Sequence, residues 1–94
     1  MSAIDYQSCP ALALGVRIQK DAVTGEPVLL FPEGVMFLNS TAREIVARCN
    51  GQFTVEAIVS ALAAEYDVSG ETLRGDVLEC LTQLHERKLI AFPT

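Results

Sequence analysis

The chain contains few of the residue types that carry catalysis or metal binding. Its 94 residues include no tryptophan, one histidine and three cysteines. Cys9, Cys49 and Cys80 lie far apart and outside any CxxC spacing, whereas a zinc site needs about four ligands at short spacings. Because Cys49 and Cys80 fall on apolar faces of predicted helices, we interpret them as small buried residues. The glycines form no phosphate-binding pattern either, so the sequence predicts no metal and no cofactor.

Positive charge is also scarce. Seven Lys and Arg residues stand against twelve Asp and Glu residues, which gives a net charge of −5. The basic residues are scattered, whereas nucleic-acid binding depends on a clustered positive surface.

No apolar run approaches the roughly 18 residues that a membrane span needs. The first residues also lack the basic leader and apolar core of a secretory signal. These absences favour a cytoplasmic protein that binds neither nucleic acid nor membrane.

No catalytic arrangement can be assembled from the sequence. Cys80 and His85 lie five residues apart on one predicted helix, so their side chains point to different sides. The carboxylates fall at helix starts and on predicted solvent faces. A chain of this size also has little room for a deep pocket. We therefore expect no enzymatic activity.

The composition is that of one ordered domain. Half of the residues are hydrophobic and a fifth are charged, as in ordinary soluble globular proteins. The length leaves room for one small core. Residues 1–11 show no periodicity, and we predict a flexible N-terminal arm there, followed by a single domain at 12–94.

The first half of the domain has the pattern of three strands. Val16 and Ile18 alternate with polar neighbours, as in a half-buried strand. Residues 27–31 form a continuous apolar run, which suits a central strand covered on both faces. Phe31-Pro32-Glu33-Gly34 is a turn sequence that leads into a third strand at 35–38. We expect an antiparallel meander.

The second half has the pattern of three helices. Asn39, Ser40 and Thr41 offer N-cap oxygens for the first helix, and Thr41 with Glu44 has the spacing of a capping box. Thr54 and Ser69 are predicted N-caps of the second and third helices, and residues 89–92 suit a last strand or an extended segment. A small antiparallel sheet must pack against helices to bury its face. The order βββααα therefore predicts an α+β fold similar to a winged helix-turn-helix.

The third strand is apolar at every position: Val35, Met36, Phe37 and Leu38. A strand that buries only one face should alternate, and an edge strand is normally guarded by charge. Residues 35–38 are thus covered by the N-terminal arm, paired with a second copy, or used to capture a peptide by β-augmentation.

The third helix offers a possible second wall for such a peptide. One flank carries Arg74, Leu78, Leu81 and His85, and Leu78 extends the apolar surface away from the core stripe. This flank is either covered by the arm or the C-terminal tail, or forms one wall of a groove. The opposite flank, with Asp76, Glu79, Gln83 and Glu86, is expected to face water.

The order and spacing of several short motifs resemble those of a known family. In the first half they are Gly15-Val16-Arg17, Leu29-Leu30-Phe31-Pro32-Glu33-Gly34 and Leu38-Asn39-x-Thr41-Ala42. In the second half they are Ile45, Cys49-Asn50-Gly51, Ile58, Leu62, Tyr66, Asp76-Val77, Leu81 and Leu84. Over about residues 12–91 the chain is similar to the PqqD family of pyrroloquinoline quinone biosynthesis.

The resemblance implies a peptide-recognition domain without catalysis of its own. It would bind the precursor peptide PqqA and present it to the radical-SAM enzyme PqqE, to which the iron–sulfur cluster and SAM would belong. In this domain class the peptide pairs with the third strand and lies against the third helix. Carried over here, the contact residues are Val35, Met36, Phe37 and Leu38, facing Arg74, Leu78, Leu81 and His85.

Two questions stay open at this level. Three helices with a hairpin also compose a winged-helix DNA-binding or transcription-associated module, although the third helix carries slightly more acidic than basic residues. An apolar edge is also compatible with a monomer or with a dimer, including one with exchanged elements.

Overall fold

The computed structural model describes residues 4–67 and 69–92 of the chain. Its elements are, in order, β1 (Ala11–Leu12), β2 (Arg17–Lys20), β3 (Pro27–Phe31), β4 (Gly34–Phe37), α1 (Ser40–Ala47), α2 (Val55–Tyr66), α3 (Gly70–Glu86) and β5 (Ile90–Ala91). The expected α+β fold is confirmed, with a three-stranded antiparallel sheet and three helices. Two short strands, β1 and β5, add a second, two-stranded sheet. Within the described residues, no helix has the length and apolar character needed to cross a bilayer.

Strand β3 occupies the centre of the larger sheet. It pairs antiparallel with β2 on one side and with β4 on the other, and Leu29 lies opposite Ile18 and Met36. Val28 and Leu29 are adjacent and therefore point to opposite faces, yet both are buried. This confirms the prediction of a central strand covered on both faces.

One hydrophobic core joins the larger sheet to the helices. Leu29 is fully buried in it, and Met36 packs against it from β4. The helices supply most of its remaining members, including Ile45, Val46, Val55, Ile58, Val59, Leu62, Leu73, Val77, Leu81 and Leu84. The sheet is therefore attached to the helices mainly through one side of its central and last strands.

The helix starts follow from side chains that accept backbone N–H groups. Asn39 is the N-cap of α1, and its Oδ1 accepts the N–H of Ala42 at 2.8 Å. Thr54 and Ser69 cap α2 and α3 in the same way, as predicted. The expected capping box at Thr41 is wrong, because Thr41 already lies inside α1 and the carboxylate of Glu44 forms an ion pair one turn further along the helix.

Residues 4–11 are packed against the domain and are not a loose arm. The N–H groups of Val55 and Glu56 open α2 and have no acceptor inside that helix. They donate instead to the carbonyls of Ser8 and Tyr6, at 2.9 and 3.0 Å. Because these contacts use the backbone, they leave no periodic pattern in the sequence. The predicted boundary at residue 12 is therefore too late, and residues 1–3 lie outside the described part of the chain.

The core position of Leu81 can be tested by truncation. We expect Leu81→Ala to lower the free energy of unfolding by about 2–5 kcal/mol, because it leaves a cavity among buried side chains. The exposed neighbour Thr82→Ala is the matched control and should change it by less than about 0.5 kcal/mol. Urea denaturation of both variants measures the difference, and equal effects would contradict the packing described above.

The packing of the arm can be tested by hydrogen exchange. We expect the amides of Val55 and Glu56 to exchange slowly, because the arm carbonyls accept them. The equivalent amides of Ser40 and Thr41, at the start of α1, have no acceptor among residues 4–67 and 69–92 and should exchange fast. Exchange followed by NMR compares the two pairs. Similar fast exchange of both pairs would indicate that the arm is loose.

Candidate functional site

Strand β4 is a free edge of the larger sheet. The strand order is β2-β3-β4, and no other strand of residues 4–67 and 69–92 pairs with the outer side of β4. The N-terminal arm, which could have covered this edge, pairs with β5 instead. The outer side of β4 therefore offers a row of unpaired backbone groups to a further strand.

The four apolar residues of this segment divide between two faces. Met36 and Leu38 point to the core, where Leu38 is buried. Val35 and Phe37 point outward and are 46% and 69% exposed. Alternation is thus present in the structure, but both the inward and the outward positions are apolar. A strand that pairs with β4 would find an apolar neighbour on either face.

A cleft of about 350 Å³ opens between α1 and α3, next to the end of β4. One wall comes from the start of α1 and from the residue that caps it: Asn39, Thr41, Ala42 and Ile45. The other wall is the middle of α3: Asp76, Glu79, Cys80 and Gln83. Because Asn39 follows β4 by two residues, the cleft continues from the end of the free edge.

The cleft is lined by acceptors and carries negative charge. Asp76 and Glu79 contribute carboxylates, and no Lys, Arg or His belongs to its lining. Burial, together with the charge of Glu79, raises the pKa of the Cys80 thiol to about 11. The cleft can therefore accept hydrogen bonds or a cationic side chain. Among the described residues, no group of three or more His, Cys, Asp or Glu side chains could hold a metal ion.

The predicted groove wall on α3 is contacted by other parts of the chain. Arg74 forms an ion pair with Glu56 of α2 at 2.8 Å, and its guanidinium lies 5.2 Å from the centre of the Tyr6 ring. His85 packs edge-on against Phe92, with ring centres 5.3 Å apart. Helix α2, the arm and the C-terminal segment thus contact this flank, and His85 stays exposed.

The two leucines of that wall support the core. Leu78 is partly buried and packs against the core cluster, and Leu81 is fully buried within it. The structure therefore brings Arg74, Leu78 and His85 together on one side of α3, where Glu56, Tyr6 and Phe92 contact them.

The polar α3 residues that line the cleft belong to the flank that the sequence predicts to face water. Asp76, Glu79, Gln83 and Glu86 are all exposed, as predicted, and the first three also line the cleft. The sequence contains no signal for this cleft, since helical periodicity separates polar from apolar positions but does not tell which polar flank meets α1.

Comparison with known proteins gives this geometry a family context. The family model described as "Coenzyme PQQ synthesis protein D (PqqD)" matches residues 26–90. A Xanthomonas campestris pv. campestris (strain 8004) protein named "PqqA binding protein" is 40% identical over 90 residues, which cover 96% of this chain and 98% of that protein. A protein of the same name from Xanthomonas axonopodis pv. citri is 38% identical over the same shares.

Two solved structures are similar as well. The solution NMR structure of the PqqD truncation of Methylobacterium extorquens PqqCD, described as a stand-alone RiPP recognition element, has a TM-score of 0.74 at 30% identity and covers 87% of each chain. The crystal structure of PqqD from Xanthomonas campestris has a TM-score of 0.58 at 40% identity, over 92% of this chain and 96% of that one. With its sequence, its fold and nearly its whole length in agreement with these relatives, the chain belongs to the PqqD family.

Proposed function

We propose that this protein is a non-catalytic peptide chaperone of pyrroloquinoline quinone biosynthesis that binds the precursor peptide PqqA as an added strand on β4. The observation that carries the proposal is the free, uncharged edge of β4, with Val35 and Phe37 exposed beside it. The names of the relatives support the identity of the peptide. In this proposal the peptide is presented to the radical-SAM enzyme PqqE, in the cytoplasm.

The free edge supplies both affinity and register. Backbone groups of β4 hydrogen-bond to the peptide, and the peptide side chains then alternate between the two faces of the sheet. One set packs beside Val35 and Phe37. The other set lies on the side of Met36 and leads into the cleft between α1 and α3. Leu38 is buried in the core and thereby holds the end of β4 in place.

This assignment changes the role of α3. The wall that meets the peptide carries Asp76 and Glu79, on the opposite flank from the wall expected from the sequence. Arg74, Leu78, Leu81 and His85 hold α3 against α2, the arm and the core, and thereby fix the cleft. Their part in peptide binding is therefore indirect.

The expected affinity is moderate. About two to four net hydrogen bonds at roughly 1 kcal/mol each, with two or three apolar anchors at about 1.5–3 kcal/mol each, favour binding. Ordering a flexible peptide costs about 2–5 kcal/mol, and association adds a further cost. We therefore expect a dissociation constant of micromolar order.

The cysteine chemistry supports a role without catalysis. Burial raises the pKa of Cys49 to about 12, and burial together with the charge of Glu79 raises that of Cys80 to about 11. Both thiols are then protonated at neutral pH, whereas a nucleophilic cysteine needs a lowered pKa. In this proposal the peptide is modified by chemistry that belongs to the partner enzyme.

The exposed apolar edge can be tested with one charge. We expect Phe37→Asp to weaken binding of the precursor peptide roughly tenfold or more, because a carboxylate replaces an apolar contact of about 1.5–3 kcal/mol. Ile18→Asp, on the opposite edge strand, is the matched control and should leave the affinity unchanged. Isothermal titration calorimetry measures both variants after their thermal stability has been compared.

Isotope-labelled protein gives an independent readout of the same surface. Addition of the peptide should shift the amide signals of β4 and of the cleft walls most strongly. The proposal fails if the largest shifts lie on the α3 flank of Arg74 and His85, or if Ile18→Asp and Phe37→Asp weaken binding equally.

The reactivity of Cys80 tests the absence of an activated thiol. With a pKa near 11, its alkylation by iodoacetamide at pH 8 should be at least about tenfold slower than that of a free thiol. The rate should keep rising with pH above 9, because the thiolate forms only there. Peptide mapping by mass spectrometry resolves Cys80 from the other cysteines, and a rate that levels off near pH 7 would instead indicate an activated nucleophile.

A further inference from the structure

A second concave surface lies at the other end of β4 from the cleft. Two adjoining depressions share Val16, Phe31 and Pro32, which we call the apolar floor. Arg17 borders one depression, and Arg87 and Lys88 border the other; we call these three residues the basic rim. Pro32 belongs to the turn that precedes β4, whereas the cleft follows β4. A peptide on β4 would therefore run from one surface toward the other.

The chain holds this surface in a fixed shape. The N–H of Ala13 donates to the carbonyl of Leu89 at 2.9 Å, and the N–H of Val16 donates to the carbonyl of Ala13 at 3.0 Å. Gly15 lies between Ala13 and Val16 and has φ +84°, and a Cβ at this position would lie 3.6 Å from the Pro32 ring. The turn thus fits closely against Pro32. At its tip Leu14 is fully exposed beside the floor.

Most of the described Lys and Arg side chains that form no ion pair lie at this surface. Arg43, Arg48 and Arg74 all form ion pairs with glutamates. Among residues 4–67 and 69–92, the Lys and Arg side chains without a carboxylate partner are Arg17, Lys20, Arg87 and Lys88. Three of these four form the basic rim, where Glu33 is the one acidic lining residue. This positive surface stands out in a chain whose net charge is −5.

We propose that the apolar floor and basic rim dock an acidic segment, with an apolar anchor, of the enzyme that modifies the bound peptide. The inference rests on the proposed function, because that function places a peptide on β4 for delivery to an enzyme. The opposite charges at the two ends of β4 favour one orientation of the enzyme when it binds. An acidic segment is repelled by Asp76 and Glu79 at the cleft and attracted by the basic rim. An enzyme docked there receives the peptide where it leaves β4 at the Gly34 end.

Charge reversal on the rim tests this docking surface. The purified radical-SAM enzyme is titrated with the full chain in the presence of saturating peptide. We expect the double variant Arg87→Glu with Lys88→Glu to bind the enzyme at least about tenfold more weakly. Peptide affinity, measured separately without the enzyme, should stay within about twofold, because the rim is not part of the free edge.

A matched control separates local charge from net charge. Lys20→Glu removes the fourth unpaired base but lies outside the surface, so it should weaken enzyme binding much less than Arg87→Glu alone. Leu14→Asp tests the apolar contribution and should also weaken binding. Raising the salt concentration should reduce the difference between wild type and Arg87→Glu, since the attraction is between exposed charges.

The docking surface and the proposed function can fail separately, and the binding measurements distinguish the two cases. If the wild type binds the enzyme through the rim but does not bind the peptide, the docking surface stands and the proposed function fails. If the wild type binds the peptide but not the enzyme, or if Lys20→Glu and Arg87→Glu weaken enzyme binding equally, the docking surface is refuted. It is also refuted if Arg87→Glu abolishes binding to anionic vesicles or RNA while enzyme binding is unchanged.

Discussion

The attachment of the central strand β3 to the helical core is the contact on which the other features depend. A three-stranded sheet cannot bury a face by itself, so Leu29 and Met36 must reach the apolar side chains of the helices. The antiparallel meander places β3 in the middle of the sheet, with β2 and β4 at the edges. Because the chain enters α1 immediately after Leu38, no later segment returns along β4 within the described residues. The open edge is thus a consequence of connectivity.

The ends of the described chain decide which side of α3 is accessible. The arm binds the start of α2 through backbone carbonyls, and β1 pairs with β5 next to the end of α3. Tyr6 and Phe92 then pack against Arg74 and His85. The opposite flank of α3 is left to form the cleft with α1. A surface that looks apolar on a helical wheel is therefore used for internal packing, and the polar flank lines the cleft.

The surfaces at the two ends of β4 carry charges of opposite sign. Carboxylates lie at the end of β4 near Asn39, and the basic rim lies beside the turn at Pro32. A peptide added to β4 would extend between them, with its side chains shared between the apolar outer face and the cleft. For a member of the PqqD family, such polarity offers a physical basis for presenting a peptide in a single direction.

The sequence by itself determined the elements and their class. Apolar periodicity, the cap residues Thr54 and Ser69, and the turn at Pro32 were sufficient for the three-stranded meander and the three helices, because these signals are local. They did not predict that β1 pairs with β5. The same local signals identified the apolar strand 35–38 as the segment of interest. They could not assign the cap of α1 to one residue, since Asn39, Ser40 and Thr41 all carry a suitable oxygen.

Only the tertiary structure decided where the arm lies, that β4 is the free edge, and which flank of α3 lines the cleft with α1. Each of these depends on contacts between residues far apart in the chain. The arm contacts at the start of α2 are also made by backbone atoms, which leave no mark on residue type.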